Sequence, residues 1–176
     1  MRRAIGLVVL LALCGPAAAQ QPYAGMDARA IKTLSGQQIA DLKAGRGMGL
    51  ALAAELNGYP GPIHVIELKA RLGLSADQVA RLQELFAAMK AEAIPLGASL
   101  IAQELALNED FAKRTVTAAS LEAATQKIGT TQATLRAAHL KYHLSTAAIL
   151  TPDQVARYNA LRGYGGQKAP THHHHK

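Results

Sequence analysis

Two histidines four residues apart, His139 and His143, carry the clearest chemical signal in the sequence. They fall in a strong helical pattern, where residues at i and i+4 stack one turn above the other on the same face. Two imidazoles so placed form a metal clamp that needs further ligands to complete it. His64 and Glu67, three apart on a shorter helical stretch, would supply them if that stretch packs against the first. Three nitrogens and a carboxylate suit Zn²⁺, Ni²⁺, Co²⁺ or Cu²⁺, and the affinity order alone does not separate these ions. The ordinary alternative is that these histidines are half-buried, hydrogen-bonded residues on the flank of a helix seam. A second signal is the run His172, His173, His174 and His175. Imidazoles on a flexible tail capture divalent metal with loose geometry. A functionless tail and a purification tag are the alternatives. Four histidines are fewer than most tags carry, and the chain keeps an export leader.

Other chemistry is harder to find. Met26, Met48 and Met89 are scattered, and Met89 falls on a helix seam, so they read as packing residues rather than a copper site. Gly45-Arg46-Gly47-Met48-Gly49 follows no strand pattern, which argues against a nucleotide loop. No Ser-His-Asp or Cys-His arrangement is visible, and no carboxylates are paired for acid–base work. We expect no enzymatic activity and no organic cofactor.

The elements that must position the histidines are helical. The chain has 176 residues, of which 49% are apolar, 18% charged and 4% aromatic, with no Trp. Such a chain is too apolar for disorder and too poor in aromatics for a typical sandwich or barrel. Arg2-Arg3, an apolar run from Ala4 to Leu13 and Ala17-Ala18-Ala19 have the order of a secretory leader, cleaved after Ala19. The run is shorter than the roughly 20 residues that span a bilayer. Cys14, the single cysteine, would leave with it. The net charge of +7 includes Arg2 and Arg3, and the rest is scattered along helices. An exported protein without a basic cluster is not expected to bind nucleic acid.

The sequence divides into a leader at 1–19, a flexible lead-in with a weak helix at 20–47, a helical domain at 48–163 and a disordered histidine-rich tail at 164–176. Ser35 with Gln38 forms a capping-box pattern. A break follows at the glycines 45–49, then a firmer helix at 48–57. Gly58-Tyr59-Pro60-Gly61-Pro62 is a turn, and a short helix follows at 63–72. From Ser75, the positions Val79, Leu82, Phe86, Met89, Ala93, Leu96 and Leu100 repeat by 3 and 4, with Pro95 expected to kink the helix, which should end near Asn108. From Thr117, the positions Leu121, Ala124, Ile128, Thr131, Leu135, Ala138, Tyr142, Ser145 and Ile149 form a second, more polar seam, and Leu140 and Leu144 lie off it. Thr151 caps a last helix that Gly163 ends. The expected fold is all-α: a bent antiparallel helical hairpin with short flanking helices, about four to five helices in all.

One cassette occurs twice, as Leu74-Ser75-Ala76-Asp77-Gln78 and Leu150-Thr151-Pro152-Asp153-Gln154. Each combines a hydrophobic staple with a capping box. The pair resembles the LTxxQ motif of the Spy/CpxP superfamily of periplasmic proteins, which includes ZraP-like zinc-associated proteins and CnrX-like heavy-metal sensors. Ser75 stands where the motif has Thr. Residues 58–65 and 135–144 are similar to the periplasmic heavy-metal sensor subgroup. The resemblance implies a bent hairpin, a homodimer with a concave apolar face, and either sensing of metal or envelope stress or ATP-independent chaperoning of unfolded clients. A membrane sensor protein is a further implied partner.

Overall fold

The computed structural model describes residues 22–164. The expected leader, Cys14 and the His172–His175 run lie outside them. Seven α-helices and one 3₁₀ turn, and no strand, are present among the described residues. They are α1 Gly36–Lys43, α2 Leu52–Glu55, α3 Pro62–Glu67, α4 Lys69–Leu72, α5 Ala76–Ala112, α6 Ala118–Ile149 and α7 Pro152–Arg162.

Helices α5 and α6 form the central antiparallel pair, joined by a link of five residues. Cross-links follow the antiparallel register. Gln103 donates to Thr131 Oγ1 at 3.0 Å near the hairpin tip, and Tyr142 donates to Glu92 Oε2 at 3.2 Å further down. Helices α1 and α3 pack on α5, α2 packs on α6 and α4 packs on α7. Two cores result. Leu42, Ala93, Leu100, Ile128 and Leu135 fill one; Val65, Leu72, Leu82, Leu150 and Tyr158 fill the other. Gly97 lets α1 approach α5, since a Cβ there would lie 2.5 Å from the Leu42 carbonyl oxygen.

Every long helix starts on a capping box. Ser35, Ser75, Thr117 and Thr151 each accept the N–H three residues on, and residue 38, 78, 120 or 154 reaches back to the cap N–H. The two Leu-led cassettes go further. Gln78 Nε2 donates to Gln154 Oε1 at 2.8 Å, and Gln154 Nε2 returns a bond to Gln78 Oε1 at 3.1 Å. Gln78 also donates to the Ile149 carbonyl at 2.9 Å. A reciprocal amide pair thus ties the start of α5 to the start of α7. The repeat in the sequence is a physical contact in the fold.

Several boundaries differ from expectation. The firmer helix expected at 48–57 is only α2, because Met48 (φ 43°) and Gly49 (φ 83°) both take the left-handed region and delay helix entry to Leu52. The stretch 63–72 divides at Leu68 into α3 and α4, which raises the helix count above the expected four to five. Helix α5 passes through Pro95 unbroken and extends beyond Asn108 to Ala112. The segment before α1 lies along the tip half of α5. Ile31 is buried there, and Thr33 donates to Glu104 Oε2 at 2.8 Å. Helix α5 is long and apolar enough to cross a membrane by length and composition, and little of its apolar window is buried within the chain.

Candidate metal centre

Between the two cores, α5 and α6 present no large aliphatic pair. Met89 follows Leu82 and precedes Ala93 on one helix; His139 and His143 lie between Leu135 and Leu150 on the other. A recess of about 180 Å³ opens at this junction. Its lining includes His64, His139, His143, Glu55, Met48 and Met89.

The seam read from the sequence placed His139 and His143 on its flank, with half-burial as the ordinary alternative to a metal site. Both are buried: His139 is 2% exposed and His143 9%. The apolar stripe of α6 widens here because α2 and α3 both pack against this half of the helix. His143 Nδ1 lies 2.7 Å from the Tyr59 carbonyl oxygen. A carbonyl only accepts, so Nδ1 carries a proton, and Nε2 is the ring nitrogen left to offer a lone pair to a metal. Gly61 closes over this ring: a Cβ there would lie 3.0 Å from His143 Cε1 and Nε2. The turn 58–61 therefore fixes the tautomer with one residue and makes room for the ring with another.

His139 lies beneath the loop 45–49. A Cβ on Gly47 would meet its Nδ1 at 3.5 Å, ordinary contact. His139 Nε2 is enclosed and has no hydrogen-bond partner. Such a group carries a desolvation penalty of about 1–3 kcal/mol unless something binds it. Burial, reinforced by nearby His143 and opposed by Glu92, holds the His139 pKa below the usual imidazole value. The ring is therefore kept neutral, the form that binds metal.

His64, on α3, lines the same recess. Its Nδ1 lies 3.3 Å from Glu67 Oε2. Glu67 lines an adjoining recess with Phe86 and Lys90, not the one holding His139 and His143. Of the four internal residues singled out by spacing, three share one recess. The fourth orients one of them, as a carboxylate commonly does for a ligating histidine.

Glu55 gave no signal in the sequence beyond being an acid in the apolar stretch Leu52-Ala53-Ala54. It is 6% exposed. Its Oε2 accepts the Gly61 N–H at 3.0 Å and faces His143 Nδ1 at 3.7 Å. Its Oε1 accepts the hydroxyls of Tyr158 and, at 3.2 Å, Tyr164, with Arg162 Nε at 3.9 Å. Burial first, and the bond to Glu55 second, push the Tyr158 hydroxyl well above its ordinary pKa, so it remains a donor. Among the described residues, no three His, Cys, Asp or Glu side chains are already grouped closely enough to hold an ion. Met48, expected to be a packing residue, is 41% exposed on the recess rim, whereas Met89 is buried at 6% as its seam position implied.

Residues 63–162 match the family described as LTXXQ motif family protein. No curated protein and no solved structure matches the chain.

Proposed function

Because the chain belongs to the LTXXQ motif family, we propose that it is a non-enzymatic periplasmic stress protein of the Spy/CpxP type that binds a transition-metal ion. The closer affinity is with the heavy-metal sensor and ZraP-like subgroup. The observation that carries this reading is the buried, unpartnered Nε2 of His139 in a recess shared with His143 and His64. In His64 and His143 the other ring nitrogen is engaged, by Glu67 and by the Tyr59 carbonyl. That leaves Nε2 as the free donor in each case. Zn²⁺, Ni²⁺, Co²⁺ and Cu²⁺ are the ions such imidazoles take. The tail run His172–His175 would serve as a looser capture site. Bound metal would draw α3 toward α6, and that shift is the signal a membrane sensor protein would read. A homodimer would cover part of the apolar surface that α5 leaves open.

Isothermal titration with each divalent ion tests the reading, on the chain carrying His172→Ser, His173→Ser, His174→Ser and His175→Ser. We expect one site per chain, with affinity reduced about 10–100-fold or more in His139→Ala and in His143→Ala. No binding, or binding that both variants leave unchanged, would remove the internal site.

A second reading has its own support. Leu105, Phe111 and Leu121 are exposed near the hairpin tip, and Leu144 is 57% exposed on α6. These are surfaces an ATP-independent chaperone would offer unfolded clients. Protection of a denatured client that is equal with and without chelator would favour chaperoning over metal binding.

A further inference from the structure

Resting on the metal reading above, we propose that the recess selects a soft monovalent ion, Cu(I), using the thioethers of Met48 and Met89 beside the imidazoles of His139 and His143. The side-chain donors lining the recess are three imidazoles, two thioethers and one carboxylate. The carboxylate is already committed. Glu55 accepts from Tyr158, Tyr164 and the Gly61 N–H, and faces Arg162. Turning it to a metal would strand three buried or half-buried donors, each a loss that a single new ligand bond must offset. Glu67 is turned to the adjoining recess and holds His64. A divalent ion here would therefore lack an anionic ligand in a partly buried site, where uncompensated charge is costly. A monovalent ion halves that charge, and thioether donors are those that select Cu(I).

Met48 adds an independent observation. It takes φ 43°, a conformation that side-chain-bearing residues adopt at steric cost, and it stands between Gly47 and Gly49. Gly47 in the same loop lies over buried His139, and Met48 beside it lines the recess. Met89 faces the same space from α5.

The test is competition for Cu(I) against bicinchoninate under argon, on the chain with the four tail histidines changed to Ser. Copper X-ray absorption and parallel Zn²⁺, Ni²⁺ and Co²⁺ titrations accompany it. We expect one Cu(I) per chain, bound more tightly than any of the three divalent ions, with sulfur in its first coordination sphere. Met48→Leu should weaken Cu(I) by about tenfold or more while leaving Zn²⁺ affinity and thermal stability unchanged. Met48 is a rim residue, so this variant is not confounded by a damaged core; Met89→Leu is the complementary case. Nitrogen-only copper, or Cu(I) affinity unmoved in the Met48→Leu, Met89→Leu double variant, would overturn the proposal. Divalent ions bound at His139 and His143 more tightly than Cu(I) would overturn the choice of ion and leave the metal reading standing. No metal of either kind would overturn both.

Discussion

A buried histidine kept neutral ties stability to pH. His139 titrates below its ordinary value of 6.5 in the folded chain, chiefly through burial. The unfolded chain therefore binds more protons than the folded one as pH drops past 6.5. Stability is unaffected by this residue above that value and declines as pH falls from it to the depressed folded value. Thermal melts of metal-free protein from pH 8 to pH 5 should show a falling Tm, and His139→Phe should flatten that decline. A parallel decline in both proteins would mean that His139 is not the group responsible. The histidine pair was legible in the sequence because helical spacing survives any packing. Its burial was not, because a 3–4 seam identifies the stripe that meets one neighbouring helix. Here three elements converge on α6, and the covered face is wider than one seam. Glu55 was illegible for a related reason: its partners Tyr158 and Tyr164 lie more than 100 positions away.

The repeated cassette shows what an element-level motif can hide. A capping box explains Ser75 with Gln78 and Thr151 with Gln154 separately. It does not explain why both boxes use Gln where α6 uses Ser120. The amide supplies the extra donor: each Gln caps its own helix through Oε1 and reaches the other Gln through Nε2. Gln78→Ala and Gln154→Ala should each destabilise the fold by about 1–3 kcal/mol in chemical denaturation, given the part-buried partners left behind. The double variant should cost less than the sum of the two, because either change already breaks the shared pair. Strict additivity would show that the two caps act independently. Helix starts were the best-read features of the chain, since caps are local chemistry. The extent of α2 was the worst, since Met48 and Gly49 take left-handed backbone conformations that a helix pattern does not announce.

On the scale of the molecule, two apolar cores share one pair of long helices, and the polar recess lies where they meet. The hairpin follows from two seams and a short link, and was readable as such. The covering of one half of it by α2 and α3 was not, because those helices are four and six residues long and carry little periodicity. Anything bound by His64, His139 and His143 would bridge α3, which supplies Val65 to one core, and α6, which runs along both. The most direct measurement is anomalous diffraction from crystals of the tail-substituted chain grown with Cu(I), or with Zn²⁺ as the divalent comparison, collected at each metal's absorption edge. One strong anomalous peak is expected within bonding distance of Nε2 of both His139 and His143. Peaks confined to the surface, with the His139 ring still without a partner, would contradict the metal reading.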